Sequence, residues 1–477
     1  MSSIKNSTFM NVNKISNSIR NINKENSIAD RNSEHKVNKI KSKILHQDLF
    51  WTFRILIMFF KLIGLTTFAH QIVVYKKRTS YIFQYSKLGF VYNVVLSSLM
   101  IASNYMSIPV RLNWNNKVKP NLIIGIAVLQ TVLGTLVMCV ILISYCINQK
   151  SLVRIANQLI TIEHEINHLY DLYHPLQRER IFCTVIIVCI LKICFLILLL
   201  FAQILTGHTD TISLVIDILP VFLVGWLLIQ YFLLVMVIQT DFYDVNRAIQ
   251  SFTTINAPDL RLQSLYQTRC IVINISTVHQ LLQLRDIHCH LCEISEDVSN
   301  FYSLPVLFSF VFLFLSLVYN GHRFLWILLG TDDILKLNYS KIIYEIVWSI
   351  FRIYPIFLLT NRITRTLIEM KKTSNIVHDH LNCAIEKETK AELKKFSLQL
   401  LHRKIQFTAN GYFTLDNTFL HSMKKTGNIV HDLLNCAIGK ETKAELIGTV
   451  VTYLVIFVQF QNVSSHSSIR QQCNNTE

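Results

Sequence analysis

Apolar stretches of about 20 residues, the length a helix needs to cross hydrocarbon, recur at Lys87–Met106, Asn121–Ile147, Ile181–Leu205, Ile212–Ile238, Tyr302–Leu328, Ile342–Asn361 and Ile447–Gln461. Seven transmembrane helices are therefore expected. Ahead of them, Leu49–Val74 is apolar but broken by Arg54, Lys61 and His70, and its Phe53, Leu56, Phe60 and Ile63 recur at helical spacing. That pattern predicts an interfacial or re-entrant amphipathic helix. The polar stretches 149–180 and 240–300 lack Gly, Ser or Pro runs, and Leu265, Val272, Ile275, Val278, Leu282 and Leu284 keep a helical rhythm. Helices should therefore run on beyond the bilayer and pack together there.

Charge orients this pattern. Basic residues gather before the first span (Arg31, Lys36, Lys39, Lys41, Lys43, Lys76, Lys77, Arg78) and between the sixth and seventh (Lys371, Lys372, Lys394, Lys395, Arg403, Lys404), whereas Thr206–Thr211 carries none. Positively charged flanks stay on the cytosolic side. The amino terminus should lie inside and, after an odd number of crossings, the carboxyl terminus outside. That is opposite to G-protein-coupled receptors, and the third span ends without an Asp-Arg-Tyr-like triplet.

Composition narrows the function. The 477 residues are 51% hydrophobic and only 16% charged, yet Lys and Arg exceed Asp and Glu by 46 to 30, giving +16. An apolar chain with its surplus at span ends is a poor nucleic-acid binder, and 12 Gly and 7 Pro are too few for a many-turned β fold. Residues 1–42 show no signal-peptide pattern. Cys139, Cys146, Cys183, Cys189 and Cys194 sit within apolar runs, so no disulfide framework is expected. In His288-Cys289-His290-Leu291-Cys292, one helical turn brings His288 and Cys292 to the same face and sends His290 elsewhere, which cannot complete a tetrahedral metal site. No nucleophile elbow, phosphate loop or open carboxylate pair appears. Neither an enzyme nor a cofactor is expected.

The last span reads Thr452-Tyr453-Leu454-Val455-Ile456-Phe457-Val458-Gln459-Phe460; on a helix Thr452, Ile456 and Gln459 fall on one stripe, Tyr453, Phe457 and Phe460 on the next. A Gln inside hydrocarbon wants protein or water. It can hold two helices together, or line a pore beyond a constriction at Ile456. The pattern Thr-Tyr, five apolar residues, Gln-Phe resembles the signature of insect gustatory receptors. So do Phe396-Ser-Leu-Gln-Leu-Leu-His402, Phe407-Thr-Ala-Asn-Gly-Tyr-Phe413, Leu415-Asp416 and Leu284-Arg285-Asp-Ile-His288. The resemblance implies a seven-helix, four-subunit, ligand-gated non-selective cation channel of the plasma membrane. It further implies inward helical extensions forming a cytosolic anchor domain and a last helix lining the pore, with Thr452, Ile456 and Gln459 as pore candidates and Tyr453, Phe457 and Phe460 as packing. The implied partners are membrane lipid, related subunits in a homo- or hetero-tetramer, and a small-molecule tastant such as a sugar or bitter compound. An odorant-type subunit of the same superfamily is the neighbouring reading. A transporter would show Gly/Pro-broken helices in symmetric halves, which are not visible.

Polar groups in the outward halves of the spans are costly and mark ligand candidates: Gln203, Asp217, Tyr319, His322, Tyr344, Glu345 and Trp348. Lys192 and Arg352 are expected to pair within the bundle. One departure stands out. Residues 370–393 return almost unchanged at 423–446, differing at Ser374/Gly427, His380/Leu433 and Glu386/Gly439. The second copy places Lys440, Glu441, Lys443 and Glu445 directly before Ile447, whose helix to Gln461 covers only about 23 Å. It predicts either an impaired channel or two duplicated exons wrongly joined. The chain then divides into a disordered basic arm (1–48), the amphipathic segment (49–86), six spans with cytosolic extensions (87–361), the inner loop with its repeat (362–446), the pore helix (447–461) and an outer tail (462–477).

Overall fold

The computed structural model describes residues 55–75, 78–115, 121–169, 176–205, 211–255, 275–329, 335–383, 387–403, 405–419 and 421. Two strands and eight named helices follow in order: β1 (Phe68–Tyr75), β2 (Arg78–Tyr85), α1 (Lys87–Asn115), α2 (Asn121–Ile147), α3 (Gln149–Leu169), α4 (Leu176–Leu205), α5 (Thr211–Ile255), α6 (Ile275–Leu329), α7 (Leu335–Cys383) and α8 (Lys387–His402). The chain separates into two compact units, Met1–Phe60 with His174–Cys183, and Lys61–Tyr173 with Thr184–Glu477. In the first, the Phe59 and Phe60 rings lie 6.1 Å apart. The second holds the hairpin and the helical bundle.

By length and apolarity, five described helices can cross a membrane, namely α2, α4, α5, α6 and α7, while α1 carries a shorter apolar stretch, Lys87–Ser103. The predicted span Ile447–Gln461, with all six of its signature positions, lies outside the described residues, as does the second repeat copy. Polar flanks and apolar runs share single helices: α5 continues to Ile255, α6 begins at Ile275 and α7 reaches Cys383. Central α5 is covered on every side, burying Leu227, Leu228, Ile229, Tyr231, Val235, Phe242 and Val245, and it packs most extensively on α7. In contrast, α4 exposes Ile187, Ile190, Ile193, Ile197, Phe201 and Ile204, a face suited to lipid.

The amphipathic segment differs from its sequence pattern. Residues 55–62 are helical, but Gly64 takes a left-handed φ of 81° and the expected helix gives way to a hairpin, with Phe68 paired to Tyr85 and Tyr75 to Arg78. A Cβ at Gly64 would lie 2.7 Å from Leu142 Cδ2, so both the backbone angle and the space require glycine. The non-helical carbonyls are satisfied by side chains. Tyr92 Oη donates to Leu62 O at 2.5 Å, Asn93 Nδ2 to Gly64 O at 2.8 Å, Gln230 Nε2 to Leu65 O at 3.1 Å, and Gln149 Nε2 to Thr67 O at 2.5 Å. The Asn157 amide both accepts from Phe83 N (2.9 Å) and donates to Phe83 O (3.1 Å), covering the outer edge of β2. Hydrophobic spacing alone does not encode these polar anchors, which come from distant helices.

Candidate functional site

One face of α7 gathers three of the sequence-predicted ligand residues. Tyr344, Glu345 and Trp348 are buried, Glu345 with 2% of its surface exposed. Trp348 follows Tyr344 by four residues and Glu345 by three, so it neighbours each of them along the helix. The Tyr344 and Trp348 rings meet edge-to-face at 6.2 Å, and Trp348 meets Phe351 in the same way at 6.2 Å. Arg352 lays its guanidinium over the Trp348 ring, 4.5 Å from the centroid, and donates from Nη1 to the Ser316 carbonyl of α6 at 3.1 Å. The Ser316 hydroxyl in turn accepts from Gln130 Nε2 of α2 at 3.3 Å. Beneath this row, Lys192 of α4 reaches the Phe351 carbonyl (3.2 Å) and ring (3.4 Å to the centroid). The cluster therefore packs aromatic rings against two basic side chains from separate helices.

The other candidates sit elsewhere along the helices. Gln203 is buried on α4, roughly 16 Å along the axis from Lys192 at 1.5 Å per residue. Asp217 is exposed on α5 and Tyr319 half-buried on α6; His322 also belongs to α6. Lys192 and Arg352 do turn into the bundle, where each meets a backbone carbonyl and an aromatic face.

A second buried polar cluster escaped the sequence reading. Tyr145 Oη donates to Gln230 Oε1 at 2.5 Å and lies 3.4 Å from Tyr302 Oη. Tyr302 stacks on Tyr231, with centroids 4.4 Å apart and planes within 5°. Gln230 and Tyr231, polar-bearing residues in the middle of the apolar stretch Ile212–Ile238, were the available signal.

At the other end of the bundle, α8 docks on α7 and α6. His288 is held edge-on between Phe242 (5.3 Å) and Phe396 (5.7 Å), with Cys292 Sγ 3.6 Å from its Nδ1. Among the described residues no group of three or more His, Cys, Asp or Glu could hold a metal. Arg285 meets Glu392 at 3.2 Å, and Arg403 donates to Cys289 O at 2.7 Å and to Glu293 Oε1 at 2.9 Å. That bond to Glu293 holds the Arg403 guanidinium above its usual range. After α8, Asn410 (φ 52°) and Gly411 (φ 76°) make a tight turn closed by Tyr412 N to Ala409 O at 3.0 Å. The turn presents Phe413, which stacks on Phe419 at 4.9 Å, while Phe310 of α6 meets both rings edge-on. Asp416 then accepts from Thr418 N at 3.0 Å, capping residues 417–419.

This architecture matches known proteins. The pattern of the 7tm chemosensory receptor family matches residues 53–424. The chain belongs to that family. Among curated relatives of this receptor, gustatory receptor 28a of Drosophila melanogaster is 26% identical over 194 residues, 40% of this chain and 37% of the relative. Gustatory receptor 28b of the same organism is 25% identical over 222 residues, 46% and 42% respectively. The match thus spans about two-fifths of each relative. The insect olfactory receptor OR5 from Machilis hrabei superposes with a TM-score of 0.53 at 14% identity, covering 87% of this receptor and 99% of that chain, a likeness of fold. A chemosensory receptor with several apolar helices is a multi-pass membrane protein.

Proposed function

We propose that this receptor is a gustatory-type, ligand-gated, non-selective cation channel of the plasma membrane, assembled as a homo- or hetero-tetramer and opened by a small-molecule tastant. The family match over residues 53–424 carries the reading, and relatives named as gustatory receptors favour taste over the odorant type. In this reading the chain crosses the membrane seven times, with the amino terminus inside and Ile447–Gln461 lining the pore. The docked inner ends of α5 to α8 form the cytosolic anchor. Tyr344, Glu345 and Trp348 contact ligand, joined from other helices by Gln203, Asp217, Tyr319 and His322.

The test is whole-cell recording from cells expressing the full chain, alone and with related subunits, against a tastant panel. A tastant-evoked cation current whose relative sodium and calcium permeability changes in Gln459→Glu supports the channel and its pore residue. Tastant uptake that saturates without conductance would establish a transporter instead. Deleting Lys424–Leu446 addresses the duplication: a larger evoked current is expected if the inserted charges hinder the pore helix.

A further inference from the structure

A proline inside a helix has no N–H for the carbonyl four residues earlier. In α7 the proline is Pro355 and the carbonyl deprived of its donor is that of Phe351. That oxygen is the one Lys192 Nζ reaches from α4 at 3.2 Å. The same ammonium rests 3.4 Å from the Phe351 ring centroid, and Lys192 is only 1% exposed. Gly225 of α5 supplies the room: a Cβ there would stand 2.6 Å from Nζ and 3.9 Å from Pro355 Cγ. One helix thus contributes the donor, a second the vacated acceptor, and a third the gap through which they meet.

We propose that Lys192 is a latch on a proline joint: its ammonium replaces the N–H missing at Pro355 and holds α7 in one bend, and its withdrawal frees α7 to flex there. A buried ammonium is costly and persists where it is well bonded, and a proline is where a helix bends. The joint has consequences because of what α7 carries on each side. Tyr344 and Trp348 precede it, whereas Glu369 and Thr373, bonded to Asn246 of α5, follow it. Movement at Pro355 would therefore shift the aromatic row relative to the clamped inner end. The proposal concerns α7 alone and holds whether or not the chain conducts ions.

Hydrogen exchange of the full-length protein in detergent micelles tests it. Lys192→Met keeps the length of the side chain and removes the donor. It should speed exchange of the α7 amides around Pro355 by about tenfold, the scale of one charged hydrogen bond, and leave α2 unchanged. Gly225→Ala, which crowds the ammonium while keeping Lys192, should reproduce the effect. Pro355→Ala restores the missing N–H, so adding Lys192→Met in that background should change exchange by less than about twofold. Unchanged α7 exchange in both single variants overturns the latch. So does an equal acceleration by Lys192→Met with and without the proline, since the lysine would then serve packing in general. Melting temperature is the wrong readout, because the methionine also removes the cost of burying a charge.

Discussion

Asn246 joins α5 to the inner half of α7 and offers a sharp test of how that end is held. Its side chain, 1% exposed, donates from Nδ2 to Glu369 O at 2.8 Å and to Glu369 Oε2 at 3.3 Å, and accepts from Thr373 Oγ1 at 2.6 Å. Each neutral buried bond contributes about 1 kcal/mol net. The carboxylate bond is long and Glu369 keeps 18% side-chain exposure, so solvent screens it. Asn246→Ala should then cost about 2–3 kcal/mol. Asn246→Asp keeps the shape and can still accept from Thr373, but it loses both donations and sets a carboxylate against the Glu369 carbonyl and carboxylate. It should cost about 1–3 kcal/mol more than the alanine. Denaturant unfolding of the purified protein in detergent, followed by tryptophan fluorescence, measures both. An aspartate variant no less stable than the alanine one would refute the assignment of Asn246 as donor.

Other perturbations probe the remaining anchors. Phe396→Ala removes a ring that is 1% exposed and packs on His288; a loss of about 3 kcal/mol is expected, with α8 becoming the first site cut in limited proteolysis. The Arg403–Glu293 pair is 39% and 53% exposed. A double-mutant cycle with Arg403→Gln and Glu293→Gln should therefore give a coupling below about 1 kcal/mol that shrinks in salt. Gly64→Ala combines a positive φ with a 2.7 Å approach to Leu142, so it should lower the yield of folded protein in size-exclusion profiles more than Gly411→Ala, whose surroundings are open.

Much of this fold is legible because hydrocarbon and helix length impose a coarse, strong rule. Apolar runs such as Ile181–Leu205 and Ile212–Ile238 fall on α4 and α5, and of the rhythm read past Thr240, Ile275, Val278, Leu282 and Leu284 fall on α6 while Leu265 and Val272 lie outside the described residues. The motif Phe407–Phe413 was visible as a family likeness, and its Asn-Gly pair becomes a turn that only residues tolerant of positive φ make readily. The hairpin at Phe68–Tyr85 and the stretch leading into it were hidden because their anchors, Asn157 on Phe83 and Gln149 and Gln230 on Thr67 and Leu65, are side chains far away in sequence. The buried α7 row was half legible. Charge within an apolar run marked Lys192 and Arg352, but the role of Pro355 emerges only when α4 is placed beside it.

The short stretch between Lys61 and Phe68 carries a message about synthesis. Its carbonyls at Leu62 and Gly64 find partners on α1, the one at Thr67 on α3, and the one at Leu65 on Gln230 of α5. A ribosome makes the carbonyl of Leu65 long before Gln230 exists. Until α5 enters the membrane, that peptide group has to remain in contact with water, lipid headgroups or the insertion machinery. This early-translated part of the bundle is thus completed only once α5 has been made, and a truncation before α5 leaves the segment without its final anchor.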